Sequence, residues 1–417
     1  MRDARRPQSG VLSLLFLVEA KEAVMYRVTS ILIFCVAVLL GLGMITLYSS
    51  SMNMELHRSA VGSDFLRSQM IWGAFGLVAC AVAASIPYRK WKPAAPWILG
   101  FSILLLILVF VPHIGWAATA GRGAGGASGA RRWIGLPHLP HFQPSELVKL
   151  AMILFLAAYA EHYQRQMATF QRGLVIPGAI IGVMLLLVFV EPDRGCTMLL
   201  AAVAAVMFVT AGARLLYLIP SGLVGAAAMA WSLTHDSMRT GRILAWLNPE
   251  LTKDGIGYQP WEAMIAFGSG GLWGVGLGDS RQKLGFIPEH HTDFIFAIIG
   301  EELGLVTTLA VVVIFVVLMV CGFCIARRAP DTFGMLLATG ITFMIGIQAF
   351  INMGVATSLL PNKGMPLPFI SYGGSNLLLM LVSVGLLLNI AKSAATTTAL
   401  GMLSSNPFES SPKLTDA

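Results

Sequence analysis

From Phe286 to Cys324 the chain reads FIPEHHTDFIFAIIGEELGLVTTLAVVVIFVVLMVCGFC. Its second half, Val306–Cys324, is almost continuously apolar. That is long enough to cross a bilayer alone. An unbroken helix from Asp293 to Ala326 would be about 51 Å long, against a hydrocarbon core of roughly 30 Å. Asp293–Gly304 is therefore expected to form its own turn or tilted segment at the membrane face, broken near Gly304. Asp293 stands where a polar run (Glu289, His290, His291, Thr292) meets an apolar run starting at Phe294. An acid at such a boundary is costly to ionise and is a functional candidate by default. Asp293, or Thr292 before it, equally fits a helix N-cap, and the local sequence does not choose between the two.

Working outward, the whole chain has the same character. Its 417 residues are 56% hydrophobic and 12% charged, where soluble domains carry about 25% charge. With a mean hydropathy of +0.75, this excludes a soluble protein and predicts an all-α polytopic membrane protein. Ten apolar segments are expected: Val28–Leu47, Met70–Ile86, Trp97–Val111, Ser145–Tyr159, Val175–Val190, Cys196–Ala211, Leu216–Leu233, Val306–Ile325, Phe333–Leu360 and Leu377–Ile390. Residues 1–24 read as a dispensable cytoplasmic tail, 25–392 as the transmembrane domain, and 393–417 as a disordered, Ser/Thr/Pro-rich cytoplasmic tail. Five cysteines, all in or beside apolar runs, suggest no disulfide framework.

Charge sets the orientation. Arg2, Arg5 and Arg6, then Arg89, Lys90, Lys92, Arg165, Arg172, Arg214, Arg327 and Arg328 fall on one side. The shorter connections on the other side hold fewer basic residues, so both termini are expected in the cytoplasm. Two long outer loops result, His113–Gln143 and Thr234–Thr292, the latter between the seventh and eighth spans. The first contains a formal G-x-G-x-x-G at Gly121, Gly123 and Gly126, with no strand before it, and is read as coincidence. The glycines of GSGGLWGVGLG in the second favour a tightly folded, partly re-entrant loop. No nucleic-acid partner is expected.

The unusual polar groups gather at the outer face. Glu146 and Lys149, in QPSELVKL, are three residues apart and close enough to pair on one helix face. They read either as a pair facing a polar cavity or as a structural ion pair at a helix start. Asp193, in EPDR, reads as part of an ordinary turn or as a second acid beside Lys149. Gln348 and Asn352 must face the bundle interior, which inter-helix hydrogen bonding explains. Pro361–Ser375, PNKGMPLPFISYGGS, has too many prolines and glycines for plain helix. His138/His141 and His290/His291 read as loop hydrogen-bonding groups more readily than as metal ligands. Cations beside an outward cavity suit a phosphate-bearing ligand, and an acid at an apolar boundary suits a general base. A lipid-linked phosphosugar fits both.

Long motifs in order carry a resemblance: GARRWI (Gly129–Ile134), QPSELVKL (Gln143–Leu150), EPDRG (Glu191–Gly195), GYQPWEAMIAFGSGG (Gly257–Gly271), the stretch Gly276–Gly304, and LPNKGMPLPFISYGGS (Leu360–Ser375). From about Tyr26 to Lys392 the chain resembles the SEDS family (shape, elongation, division and sporulation). SRQKLGFIPE and NKGMPLPFISYGG resemble the division branch more than the elongation branch.

That resemblance implies a peptidoglycan glycosyltransferase, an inverting enzyme that polymerises lipid II (undecaprenyl-pyrophosphoryl disaccharide-pentapeptide) outside the cytoplasmic membrane. It would work at the division septum with a class B penicillin-binding protein of the FtsI type and other divisome proteins. Asp293 is then the catalytic acid. Glu146, Lys149 and Asp193 match polar positions of the family. Arg131, Arg132, Arg242 and Lys363, with Ser371 and Tyr372, line the polar cavity or receive the leaving diphosphate. A divalent cation (Mg or Mn) with unknown ligands is expected beside them. Three positions depart from the family pattern: Arg194, Trp261–Glu262 and Asn376. A lipid II flippase, an elongation-type polymerase and a septal scaffold are the rival readings.

Overall fold

The computed structural model describes residues 7–57, 61–111, 115–117, 131–135, 142–284 and 292–404. Twelve helices make up the described chain: α1 (Pro7–His57), α2 (Val61–Ser85), α3 (Trp91–Val109), α4 (Pro144–His162), α5 (Ile176–Val190), α6 (Arg194–Thr210), α7 (Leu215–Thr234), α8 (Ser237–Leu247), α9 (Tyr258–Gly270), α10 (Ile295–Arg328), α11 (Thr332–Ala356) and α12 (Gly374–Ser404). One short antiparallel hairpin, β1 (Gly115–Ala117) with β2 (Arg131–Ile134), lies between α3 and α4.

Eight of these helices are long and apolar enough to cross a membrane. Of the other two expected spans, α6 is a shorter apolar helix, and α4 carries Glu146, Lys149 and Glu161. Length and apolar character alone thus do not reach the expected ten. Helix starts follow local chemistry. Pro144 opens α4 after an extended Gln143, where a missing N–H costs nothing. Asp193 caps α6 through the Cys196 amide, and Asp331 caps α11 through that of Gly334.

The break expected at Gly304 is present: φ is 78° and ψ −176° in the middle of α10, a conformation open mainly to glycine. It separates a short outer segment, 295–303, buried at every residue but Leu303, from the long span that follows. The loop before α10 is folded, as expected, and contains α8 and α9. The strip after α9 hydrogen-bonds along the break, Val275 N to Glu301 O (2.9 Å) and Leu305 N to Gly271 O (2.9 Å). At the other end of the chain α12 runs to Ser404, past the Ser393 boundary assigned to a disordered tail. Ala394 and Ala395, both buried, carry the packed face of the helix past Ser393. The dinucleotide-like glycines and the four loop histidines lie outside the described residues.

The main apolar cluster draws on α4, α6, α11 and α12, with Met152, Ile153, Leu199, Leu337, Ile341 and Leu386 fully buried, and a smaller one lies around Phe294. By contrast no residue of α7 is buried.

Candidate active site

Asp293 lies in the turn that feeds α10 and is half-buried. The next residue, Phe294, is buried against Ala263, Ala266, Ala297 and Val355, which seats the turn on α9 and α11. Backbone hydrogen bonds fix it further. Ser371 Oγ donates to Thr292 O at 2.6 Å. Asn352 Nδ2 donates to Asp293 O at 2.9 Å and to Met365 O at 2.6 Å. Gly364 lies directly against the carboxylate, and a Cβ at that position would collide with Asp293 Oδ2. The irregular Pro361–Gly373 loop is thus one wall of the Asp293 site.

Behind that wall runs a buried polar chain. Lys149 Nζ pairs with Glu146 Oε2 at 2.6 Å, both side chains nearly inaccessible. Lys149 also donates to Gln348 Oε1 at 2.8 Å, and Gln348 Nε2 donates to Pro366 O at 2.9 Å. Asn376 Nδ2 donates to Glu146 Oε2 at 2.7 Å. Asn376 therefore holds one of the site's acids. Gln348 and Asn352 face the interior as expected, and both also hold the loop that walls Asp293. Ser371 does the same, with its Oγ accepting from Leu367 N at 2.7 Å. Tyr372 leans toward α2, its hydroxyl 3.5 Å from Ser68 Oγ.

The cations fall into two groups. Arg242, on α8, senses the charge of Asp293; burial lowers its pKa, and Arg239 and Arg132 lower it further. Lys363 is pushed down to about 8 by burial, with Arg239, Arg242 and Arg132 acting in the same direction and Asp193 opposing. These mutually repelling cations around one loop are a ready anion site. Arg132 is partly committed: its Nε and Nη2 donate to the carbonyls of Glu191 (3.2 Å) and Pro192 (2.9 Å). The side chain of Arg131 lies outside the described residues. Arg239, one of the basic residues of the long outer loop, pairs with Asp236 at 3.2 Å at the start of α8, its side chain 22% exposed.

Asp193 resolves toward the ordinary reading. Its carboxylate accepts from Cys196 N at 3.1 Å as a helix cap, and among the described residues no salt bridge joins it to Lys149. Its neighbour Glu191 is the unexpected acid, buried with neither carboxylate oxygen hydrogen-bonded. Burial, with help from Asp193, pushes its pKa up to about 8. Arg194, another departure from the pattern, donates to Ser232 O at 2.9 Å and lies over the Phe189 ring.

A divalent cation has no protein cage here: among the described residues no three His, Cys, Asp or Glu side chains converge. The sequence reading also missed Glu301 and Glu302 in GEELG. Glu302 forms a wholly buried pair with Lys283 at 2.7 Å. Two adjacent acids at the edge of an apolar run were the available signal.

Eight apolar helices of crossing length, with buried charge and a half-buried acid among them, define a multi-pass membrane protein. The chain belongs to the FtsW/RodA/SpoVE family of cell cycle proteins, whose model matches residues 30–396. It is 39% identical over 361 residues to a probable peptidoglycan glycosyltransferase FtsW of Trichlorobacter lovleyi, covering 87% of this chain and 92% of the relative. Among solved structures it resembles a chain from a study of polymerisation and crosslinking by a peptidoglycan synthase complex (TM-score 0.68, 27% identity, 87% of this chain and 97% of that one). The rod shape determining protein RodA of Thermus thermophilus also matches (TM-score 0.62, 27% identity, 87% and 96%).

Proposed function

We propose that this chain is a peptidoglycan glycosyltransferase of the division type, polymerising lipid II into β-1,4 glycan on the outer face of the cytoplasmic membrane. The higher identity to an FtsW relative than to the RodA structure supports the division type. The observation that carries the mechanism is the Asp293 turn, pinned through two backbone carbonyls beside Arg242 and Lys363.

Asp293 accepts the proton of the acceptor sugar's 4-hydroxyl. That oxygen bonds to the donor's anomeric carbon as the carbon–oxygen bond to the diphosphate breaks. The bonding electron pair leaves with undecaprenyl diphosphate, and the configuration inverts. Arg242 and Lys363 receive the departing charge, an electrostatic role that a dry, preorganised site makes effective. Gly364 leaves the space that lets the carboxylate reach substrate. Glu146 and Lys149 act through Gln348 and the loop, holding the wall rather than touching the sugar. A bound Mg or Mn ion would supply charge neutralisation for the substrate's diphosphate beside Arg242 and Lys363. The exposed apolar length of α7 offers a surface for a prenyl chain.

The proposed setting is the inner membrane at the division septum, with a class B penicillin-binding protein as partner. Against a transporter stands the distribution of buried charge. The buried pairs lie at one end of the bundle, whereas Arg89–Asp331 and Lys92–Glu161 at the other end are solvent-accessible. The test is labelled lipid II given in detergent to the purified protein with a class B penicillin-binding protein. Wild type should form glycan chains, and Asp293→Asn should lose them by 10²-fold or more, the scale of a general base, with partner binding retained. Chains from Asp293→Asn would remove the base assignment. Lipid II translocation in vesicles without chain formation would favour the flippase.

A further inference from the structure

Nine positions after Asp293, at the far end of the helical segment its turn leads into, Glu302 belongs to a second buried cluster. Glu302 Oε1 is 2.7 Å from Lys283 Nζ, and both side chains are wholly inaccessible. Ser49, on α1, donates its hydroxyl to Glu302 Oε1 and Oε2 at 2.7 and 2.9 Å. Lys283 also donates to Ser49 Oγ at 3.0 Å. Each member of the triad thus touches both others. Beside it, Glu301 accepts from the amides of Arg281 (3.1 Å) and Gln282 (3.4 Å) and from the Ser280 hydroxyl. Two adjacent acids therefore grip the Ser280–Leu284 segment from which the chain runs on to Asp293.

Energetics make this arrangement informative. A wholly buried ion pair is a poor source of stability, because an apolar pair of similar volume generally serves as well or better. Its advantage is geometric: it specifies one arrangement. Here that arrangement joins three parts of the chain, α1, the loop before Asp293, and the outer piece of α10. That piece is separated from the long span by the non-helical Gly304, so the rest of α10 does not by itself fix it. Its Asp293 end is held by Asn352 and Ser371. Its Gly304 end is held by the triad and by the strip Gly271–Gly276.

We propose that Lys283, Glu302 and Ser49 form a positioning lock that sets the placement of Asp293 from the opposite end of its helical segment, making that placement depend on how α1 is seated. These are positioning residues, not catalytic ones, and the inference rests on Asp293 being the base. An ångström's misplacement of a reacting group costs up to about a hundredfold, so a loosened lock should be visible in turnover.

The test uses full-length protein with a class B penicillin-binding protein and labelled lipid II. Lys283→Met should lower kcat by roughly ten- to a hundredfold while leaving KM for lipid II within about twofold. It should also shift the acid limb of the kcat–pH profile, because the carboxylate's surroundings change. A fall in folded protein alone would scale the profile without moving it. The charge swap Lys283→Glu with Glu302→Lys should recover part of kcat, and Ser49→Ala should give a smaller loss than Lys283→Met. Independent of activity, amide hydrogen exchange over Phe294–Gly300 should speed up in Lys283→Met. Unchanged exchange, or a normal kcat and pH profile, would overturn the lock. If Asp293→Asn keeps activity while exchange in Lys283→Met still rises, the base assignment fails and the lock stands as a structural coupling only.

Discussion

The two ends of the helix bundle treat charge in opposite ways. At the end assigned to the outside, Glu146–Lys149 and Lys283–Glu302 are sealed in, with side-chain exposures of 6%/3% and 0%/0%. At the other end, Arg89–Asp331 and Lys92–Glu161 sit at 64%/21% and 41%/23%. The inner pairs share their charge with water and act as ordinary surface contacts. Asp331 adds a helix cap and a hydrogen bond from Tyr88. The outer pairs carry a desolvation penalty that water does not relieve. They are tolerated where they hold irregular backbone: the Pro361–Gly373 loop in one case, the Ser280–Leu284 segment in the other. Both sealed pairs thus hold backbone that walls Asp293 or leads to it.

The contrast can be broken by measurement. A large loss of stability is expected from Lys149→Ala, which leaves Glu146 buried without its cation. Removing one partner of a buried pair costs about 3–5 kcal/mol, readable as a lower denaturation midpoint in detergent. A Lys149→Ala protein as stable as wild type would mean that water already reaches the pair. Next comes Lys363, whose buried ammonium has a pKa near 8. As pH rises through 8 it loses its proton and with it the charge that receives the diphosphate, so polymerisation should decline on the alkaline side. Lys363→Arg keeps its charge there and should move that limb to higher pH. An alkaline limb unmoved in Lys363→Arg would exclude Lys363 as its origin. The smallest effect belongs to the inner end: Glu161→Gln removes a half-exposed pair worth about 0–1 kcal/mol. A loss as large as that of Lys149→Ala would end the distinction between the two ends.

How far the chain could be read in advance varied with the range of the interaction. Asp293 at its boundary, the Glu146–Lys149 pair and the break at Gly304 all follow from residues within one or two helical turns. Asn376 holding Glu146 spans 230 residues, and Ser49 meeting Glu302 spans 253. No periodicity links such positions. Gly364 looked like one more loop glycine until the carboxylate of Asp293 was found against it. Asp193 shows the converse: its role as a helix cap is local, and among the described residues no salt bridge joins it to Lys149.

Hydropathy, spacing and motif order were enough by themselves to establish a polytopic helical membrane protein, its family and its first candidate acid. Each rests on short-range patterning or on solvation of single segments, which the linear order of residues records directly. Which distant side chains close around Asp293, and which acids are sealed from water, was decided only when the helices packed. Contact and dielectric environment belong to the assembled bundle, and no segment carries them alone.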